Sequence, residues 1–201
     1  MIIFVPYHPD LPVDYERLIE AIRKKGNNGN HTLAVVSLRE HDEEVFDFMG
    51  KLYDYFGRQV KVSVDEGGDL SNRFFTASLN AFLKYKPATV GNEPMMYYDP
   101  SYLPHAMRWL DALQADYFQN GAPKVFGDFN GEGEIPVTRG CLILAREYIK
   151  ESTLIPYIQK GMHWRNYLAW ELFRNGVKAS GIGNTETAIL RPATPERVKS
   201  R

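Results

Sequence analysis

The sequence predicts an α/β fold in which a mostly parallel central sheet is flanked by helices. Three short, β-branched apolar runs occupy residues 2–5, 32–38 and 60–64, and a segment with apolar residues at helical spacing follows each of them. Parallel strands need a long crossover connection, which is usually a helix. Three such strand–helix units in succession therefore indicate a parallel sheet.

The first unit begins with a strand at residues 2–5, which Pro6 ends. This run is too short for a helix, and its residue types favour strands. The segment 13–25 then places Leu18 and Ile22 on one helical face and ends in the turn-forming sequence GNNGN. The unit is predicted to be a strand, a loop and a helix.

The second and third units repeat this order. The buried-type strand at 32–38 precedes a helix at 43–56, whose apolar residues form one stripe. The alternating strand at 60–64 precedes a helix at 69–86, and Pro87 marks the end of that helix. The first half of the chain is therefore predicted to supply the parallel strands.

The second half of the chain follows a different pattern. A fourth apolar run at 95–98 leads into DPSYLP and a helix at 105–118. Strands at 124–129 and 137–144 flank the glycine-rich, acidic sequence NGEGE, which favours a small antiparallel element over another crossover. The remaining predicted elements are helices at 146–150 and 163–174 and short edge strands at 177–180 and 187–190.

Length and charge fit one domain with a short appendage. The chain has 201 residues, and we predict a single domain over residues 1–190 and a basic, flexible tail over 191–201. The 24 basic and 25 acidic residues leave no overall positive field for nucleic acid. Any contact with nucleic acid would therefore depend on a local patch.

Features linked to secretion and membranes are missing from the sequence. One cysteine, Cys141, cannot form an internal disulfide, which fits a reducing compartment. No run approaches the ~20 apolar residues of a membrane span, and the amino terminus lacks the segments of a signal peptide. We therefore expect a cytoplasmic protein. Within GCLIL, Cys141 is better explained as a buried core thiol than as a nucleophile.

Several common chemistries lack their sequence motifs. The chain has no Walker phosphate loop, no G-x-G-x-x-G after the first strand, no paired cysteines for zinc and no H-E-x-x-H. Attention therefore falls on polar residues at the carboxyl ends of the predicted parallel strands, where open α/β sheets bind ligands. These residues include Pro6, Tyr7, His8, Arg39, Glu40, Asp65, Asp99 and Ser101.

Asp99 is the most informative of these residues. It directly follows the aromatic strand MMYY, beside Ser101, on a loop stiffened by Pro100 and Pro104. A carboxylate at a strand end can hold a divalent cation and, through it, a diphosphate. We therefore interpret Asp99 as part of a ligand site. For Asp69, which precedes a helix, capping is the better explanation.

These residues carry a resemblance to a known family. The segment EPMMYYDPSYLPHAMRWLDALQADY resembles the central segment of GT-A type glycosyltransferases, where an apolar strand ends in an Asp-x-Asp-like motif followed by proline and a helix. DLSNRFFTASLNAF is similar to the family's helix beside the donor nucleotide. KVFGDFN and PVTRGCLILAREYI resemble the strands that shape the acceptor side. The resemblance covers residues 2–180 in element order and implies a GT-A-like, Rossmann-related fold.

The resemblance implies a transferase of the EC 2.4 class that moves a sugar from a nucleotide-sugar donor to a hydroxyl. It implies a donor site that also binds Mn2+ or Mg2+ at Asp99. Ser101 stands where the family motif has its second acid, so the diphosphate would be stabilised through a metal or by hydrogen bonds alone. The implied donor-binding residues are Pro6, Tyr7, Arg39, Asn72, Arg73, Asp99 and Ser101.

The catalytic base is implied less directly. Inverting members usually carry a Glu-Asp pair in the region where this chain has HWRN, residues 163–166. His163 can act as a base because its unperturbed pKa lies near neutrality, and it can equally be a helix-start residue. Asp128, in KVFGDFN, is the second candidate.

The acceptor and the alternatives remain open at this point. Small GT-A-like enzymes also occur in phages, where some glycosylate hydroxymethylated pyrimidines in DNA, and the basic tail would suit that acceptor. One alternative is a sugar-nucleotide-binding or scaffolding protein that keeps the fold without turnover. Another is a nucleotidyltransferase, whose usual glycine-rich first loop is replaced here by VPYHPD.

Overall fold

The fold is built around a large mixed sheet with helices on both faces. The computed structural model describes residues 1–26, 28–65, 67–85, 93–129, 138–152, 154–175, 179–180 and 189–193. The strands are β1 (Ile2–Pro6), β2 (Asn28–Leu38), β3 (Phe56–Val64), β4 (Met95–Tyr98), β5 (Tyr102–Pro104), β6 (Val125–Phe129), β7 (Thr138–Leu144), β8 (Ala179–Ser180) and β9 (Leu190–Pro192). The helices are α1 (Tyr15–Lys24), α2 (Asp42–Lys51), α3 (Leu70–Lys84), α4 (Trp109–Gln119), α5 (Arg146–Glu151), α6 (Leu154–Gln159) and α7 (Trp164–Asn175).

The large sheet has seven strands in the order β3-β2-β1-β4-β7-β6-β8. Strands β3, β2, β1 and β4 run parallel, whereas β7 is antiparallel to both β4 and β6. Strands β5 and β9 form a separate antiparallel pair. This arrangement confirms the predicted α/β fold, including its small antiparallel element in the second half of the chain.

Alternate residues of the central strands enter two separate cores, because successive side chains of a strand point to opposite faces of the sheet. On β1, Ile2 and Phe4 pack in the core that contains residues of α3, α5, α6 and α7. Ile3 and Val5 pack in the other core, with residues of α1, α2 and α4. Cys141 is buried in this second core, as the sequence predicts.

The order of the strands reverses between β1 and β4. From β3 to β1 the chain builds the sheet in one direction, and β4 is then added on the other side of β1. Such a switch point leaves a crevice outside the carboxyl ends of the two strands, and open α/β sheets bind their ligands there.

Several elements differ from the predicted ones. Strand β2 begins at Asn28 instead of residue 32 and β3 begins at Phe56 instead of residue 60, so the helix predicted over 43–56 ends at Lys51.

Helix α4 begins at Trp109, after Arg108, whose left-handed backbone (φ 50°) cannot continue a helix. Helix α6 was not predicted because Pro156 disfavours helix interiors, yet this proline lies in the first turn, where it is tolerated. Strand β9 includes Arg191, so the chain remains ordered in a sheet into the region predicted as a tail.

Some sequence predictions fall outside the described residues. These are the NGEGE segment, residues 177–178 and 187–188 of the two predicted edge strands, the tail from residue 194 onward and the side chain of Asp128. Among the helices that are described, none combines the length and apolar character needed to cross a bilayer.

Candidate functional site

A cavity of about 440 Å³ lies at the switch point between β1 and β4. Residues from the ends of both strands, the start of α3, the start of α7 and β7 form its wall. They are Pro6, His8, Asp10, Leu11, Pro12, Val13, Leu70, Ser71, Phe74, Tyr97, Asp99, Pro100, Ser101, Gly140, Cys141, Leu142, Trp164 and Arg165. Most of these side chains are apolar, so a ligand here is largely shielded from water.

The Asp99 carboxylate is held in a defined orientation at the end of β4. The backbone N–H of Asp99 donates to the Gly140 carbonyl across the sheet at 2.8 Å. Its Oδ1 accepts hydrogen bonds from the backbone N–H of Ser101 at 3.0 Å and from the Ser101 hydroxyl at 2.6 Å. The Asp99 side chain thus closes a turn with the backbone two residues on, as aspartate side chains commonly do. Its second oxygen, Oδ2, points away from Ser101.

Arg165 faces the other oxygen of that carboxylate. Its Nη2 lies 3.5 Å from Asp99 Oδ2, and its guanidinium carbon lies 5.1 Å from the centre of the Trp164 ring. Its Nε is buried without a hydrogen-bond partner among the described residues. An acidic and a basic side chain, Asp99 and Arg165, therefore lie together on the wall of one cavity although they are distant in the sequence.

Helix α3 positions this part of α7. The Asn72 amide accepts the backbone N–H of Trp164 at 2.8 Å and donates to the Met162 carbonyl at 3.1 Å. The Trp164 indole N–H donates to the Ser71 hydroxyl at 3.0 Å, and its ring stacks on Phe75 with centroids 4.1 Å apart. Because Trp164 is fully buried by these contacts, the following residue, Arg165, emerges at a fixed place.

The loop after β1 is held in place by hydrogen bonds with the side chain of Tyr15. The Tyr15 hydroxyl lies 3.4 Å from the carbonyl oxygens of Pro6 and His8 and can donate its one hydrogen to either, and it accepts the His8 backbone N–H at 3.2 Å. Burial raises the pKa of Tyr15 above its usual value, so this hydroxyl stays protonated. The His8 ring is also buried, and its Nδ1 accepts the Asp10 backbone N–H at 3.2 Å. This loop is therefore a rigid side of the cavity.

The structure brings three of the predicted donor-binding residues to the cavity: Pro6, Asp99 and Ser101. Tyr7 lies on the opposite side of the sheet, where its ring packs against Tyr15 with centroids 4.4 Å apart. Burial raises the pKa of Tyr7 as well. The alternation of side chains along β1 continues one residue beyond the strand and accounts for this difference between Pro6 and Tyr7.

The predicted arginines lie at the neighbouring strand ends. Arg39 follows β2 and forms an exposed ion pair with Asp65, whose Oδ1 lies 3.0 Å from the Arg39 Nε. Arg73 and Asn72 line a second, more open groove of about 590 Å³ beside the end of β3, and Arg73 donates to the Gly67 carbonyl. Neither arginine lines the cavity at Asp99.

The two candidate bases, His163 and Asp128, lie in different parts of the structure. His163 is not among the residues that line either cavity. Its Nδ1 accepts the Arg165 backbone N–H at 3.3 Å, which is the bond of a residue that caps a helix. Asp128 lies on β6 with its backbone opposite Arg139, and its side chain is outside the described part of the structure.

The sequence analysis gave no donor-binding or catalytic role to Arg165 or Trp164, and it named His8 only among the polar residues at the strand ends. Arg165 lacks a local signal, because helix α7 meets the end of β4 only in the tertiary structure. His8 has a usable signal, since it stands two residues beyond Pro6 and therefore faces the same side of the sheet.

The donor atoms at Asp99 do not fit a divalent cation well. Mg2+ and similar ions are usually held by one or two carboxylates together with substrate phosphates. Here Oδ1 of the single carboxylate at the strand end is already bonded to Ser101, and a guanidinium faces Oδ2. Among the described residues, no three His, Cys, Asp or Glu side chains are grouped so that they could hold a metal ion.

No family model and no curated protein matches this sequence. Solved structures match its fold. A mannosyltransferase from Pyrobaculum calidifontis, in complex with GDP-Man and Mn2+, has a TM-score of 0.59 and 14% identity over 98% of this chain and 57% of its own. The glycosyltransferase GlyE from Streptococcus pneumoniae has a TM-score of 0.56 and 13% identity over 92% of this chain and 45% of its own.

A synthase also matches this fold. The 4-diphosphocytidyl-2C-methyl-D-erythritol synthase from Anaerococcus prevotii has a TM-score of 0.54 and 9% identity, over 97% of this chain and 93% of its own. This chain covers 57% of the length of the mannosyltransferase and 45% of the length of GlyE. At these identities the likeness establishes the GT-A-like fold.

Proposed function

We propose that this protein transfers a sugar from a nucleotide-sugar donor to a hydroxyl acceptor. The observation that carries the proposal is the cavity at the switch point, where the Asp99–Ser101 turn and Arg165 meet a largely apolar wall. A ligand with a charged diphosphate and a neutral sugar matches that combination of paired charges and apolar surface.

In this reaction the bond between the sugar C1 and the diphosphate oxygen breaks, and its electron pair stays with the diphosphate. The acceptor oxygen forms the new bond to C1 and loses its proton to a base. The apolar residues around the cavity exclude water, which otherwise competes with the acceptor. Ser101 fixes the orientation of the Asp99 carboxylate, and this carboxylate in turn faces the Arg165 guanidinium at the charged end of the cavity.

The nucleotide part of the donor extends from Asp99 toward the ends of β2 and β3. Arg39 and Arg73 lie in that direction, and arginine binds phosphate and stacks on rings through its planar guanidinium. A nucleotide that displaces Asp65 from Arg39 gives up only an exposed ion pair, which stabilises the protein little.

The proton of the acceptor requires a base on the far side of the sugar. Asp128 is our first candidate because its strand, β6, pairs with β7, whose residues Gly140–Leu142 line the cavity, and His163 is the second. Asp128→Asn should lower sugar transfer by roughly 10²–10⁴-fold, the usual contribution of a positioned acid or base. Donor binding should be unchanged in that variant.

A panel of sugar nucleotides tests the proposal. Thermal shift identifies the donor that raises the melting temperature, and chromatography then detects slow release of the nucleoside diphosphate from it. We expect one donor to bind and to be hydrolysed slowly, and Asp99→Asn to abolish the release. Binding without any release by the wild-type protein would favour the alternative of a non-catalytic sugar-nucleotide-binding protein.

A second candidate function is nucleotidyl transfer, in which a nucleoside triphosphate reacts with a phosphorylated acceptor and releases pyrophosphate. The near-complete coverage of the Anaerococcus prevotii enzyme favours it. The loop VPYHPD, which lacks glycine, weighs against it because a triphosphate is usually held by the backbone of a glycine-rich loop. Release of pyrophosphate from CTP, measured beside the sugar-nucleotide panel, distinguishes the two reactions.

DNA containing hydroxymethylated pyrimidines is one acceptor that we include in the test. Its only support is the basic composition of residues 191–201. Because Arg191 and Pro192 belong to β9, the truncation should remove residues 194–201 and leave the strand intact. If DNA is the acceptor, this truncation should weaken duplex binding and reduce its salt dependence. Absence of binding at low salt would exclude a DNA acceptor.

A further inference from the structure

We infer that the guanidinium of Arg165 takes the place of a divalent cation at Asp99, so that the donor diphosphate binds directly to this arginine without a metal. The inference rests on the proposed function, because it concerns how the same cavity holds its donor. It assigns to Arg165 a role that the sequence pattern gives to a metal ion bound by Asp99.

Arg165 occupies the place where a bridging cation is needed. In a metal-dependent site the ion lies between the carboxylate and the diphosphate, and it neutralises both. Here Nη2 of Arg165 lies 3.5 Å from Asp99 Oδ2 on the wall of the cavity. A guanidinium has two hydrogen-bonding edges, so one edge can face Asp99 while the other binds phosphate in a bidentate manner.

The contact between Arg165 and Asp99 is too long to be a tight structural ion pair. Charge-assisted hydrogen bonds measure about 2.7–2.9 Å. The exposed pair of Arg108 and Asp111 reaches 2.8 Å, whereas Arg165 and Asp99 remain 3.5 Å apart. Packing on Trp164 therefore supports the arginine more than the carboxylate does.

Arg165 also has unused hydrogen-bonding capacity. Its Nε is buried and has no partner in the described structure. Buried N–H groups in proteins nearly always find an acceptor, so the protein does not fully satisfy this guanidinium. The Arg165 side chain is 41% exposed as a whole, so atoms other than Nε are open to phosphate oxygens in the cavity.

At Asp99 itself the local charges disfavour a second cation, whereas Asp10, whose side chain is 92% exposed, adds a negative charge at the rim that solvent screens. Asp99 and Arg165 neutralise each other, so a divalent ion brought to Asp99 gains little attraction and is repelled by the guanidinium. A diphosphate on the cavity side of Arg165 is attracted by the guanidinium and is repelled less by the Asp99 carboxylate, which lies behind the arginine. Ser101 further occupies Oδ1 of Asp99 and limits its availability to a metal.

The chain contains a matched control on the same helix. Arg174 lies over the Trp170 ring at 5.0 Å, as Arg165 lies over the Trp164 ring at 5.1 Å. Both arginines belong to α7, but Arg174 does not line the cavity. A comparison of Arg165→Gln with Arg174→Gln therefore separates the loss of charge and stacking from the loss of a ligand contact.

The test is titration calorimetry of the full chain with UDP, GDP, CDP and ADP, in EDTA and again in MnCl2. At least one nucleoside diphosphate should bind in EDTA, with an affinity that Mn2+ changes little. Arg165→Gln should weaken this binding by roughly 10- to 100-fold, the range expected for lost hydrogen bonds to a charged group. Arg165→Lys should fall between, because it keeps the charge without the second edge. Arg174→Gln should bind as the wild type does.

The outcomes distinguish the inference from the proposed function. Binding that requires Mn2+ overturns the inference and leaves the proposed function standing. Equal losses in Arg165→Gln and Arg174→Gln also overturn it. If neither the nucleoside diphosphates nor their sugar derivatives bind in either buffer, the proposed function itself is wrong. Circular dichroism checks the folding of each variant, and Arg165→Lys carries the test if Arg165→Gln fails to fold.

Discussion

The side-chain oxygen of Asn72 accepts the backbone N–H of Trp164 at 2.8 Å, which joins the first turn of α3 to the first residue of α7. The amide nitrogen of the same side chain donates to the carbonyl of Met162. Sequence analysis assigned Asn72 to the donor. The structure uses both ends of its amide to hold the segment that carries Arg165.

Replacing Asn72 should therefore affect folding first. Asn72→Leu leaves the buried Trp164 N–H without a partner, whereas the carbonyl of the exposed Met162 can bond to water. The free energy of unfolding should fall by about 1–3 kcal/mol, the cost of one buried group left unsatisfied. Urea denaturation measures the effect, and Asn80→Ala, at an exposed position of the same helix, should change it little. Wild-type stability of Asn72→Leu would contradict this role.

Asp99→Asn should separate charge from structure. The asparagine oxygen can still accept the two bonds from Ser101, so the turn is kept and the melting temperature should barely change. The loss of the charge that faces Arg165 should lower turnover by at least ~100-fold, the scale of one key electrostatic contact. Asp54→Asn, an exposed change elsewhere, serves as the control. Activity close to that of the wild type would remove Asp99 from the mechanism.

Ser101→Asp tests how the site handles cations. It adds a second carboxylate beside Asp99, and the two carboxylates together can hold a metal ion in spite of the positive charge of Arg165. Donor affinity should become dependent on Mn2+, with a gain of about tenfold, or 1.4 kcal/mol, when the ion is added. Ser63→Asp adds the same charge in the second groove and should show no such gain. An unaltered response to Mn2+ in Ser101→Asp would show that a missing second carboxylate is not what keeps a metal ion from Asp99.

His163 can be examined through its capping bond. Asparagine is a good capping residue and can replace Nδ1 as the acceptor of the Arg165 N–H, whereas alanine cannot. Because His163 lies outside the cavity wall, we expect His163→Asn to retain turnover. His163→Ala should lose about 0.5–2 kcal/mol of stability. Loss of sugar transfer in His163→Asn, with donor binding intact, would instead identify His163 as the base.

The stability of the protein should fall as the pH is lowered from 7 toward 5, in part because of His31. Its Nε2 donates to Asp111 at 2.9 Å, but its Nδ1 is buried without a partner, and burial lowers its pKa below 6.5. The unfolded chain therefore binds a proton more readily as the pH falls through about 6.5. His31→Gln should flatten this part of the profile of melting temperature against pH. An NMR titration in which His31 protonates above pH 6.5 would contradict the argument.

The sequence was sufficient for the fold and for only part of the site. Apolar runs followed by helical spacing specify local structure, and strand ends of a parallel sheet share one edge, so Asp99 and Ser101 could be placed there. Arg165 could not, because its approach to Asp99 depends on how α7 packs against α3. Tyr7 was assigned to the donor by its position in the chain, without regard to the alternation that turns it to the other core.

Strand β9 has a consequence for how the site is completed during synthesis. The backbone N–H of Ala193 donates to the Ser101 carbonyl at 2.8 Å, and Leu190 lies where a side chain on Gly140 would have to fit. Domains begin to fold from the amino-terminal side while the ribosome still makes the rest. The strands on either side of Asp99 are thus available early, but the turn beside it gains this partner only after residue 193 emerges. A nascent chain halted before β9 would hold most of the sheet and an unfinished site.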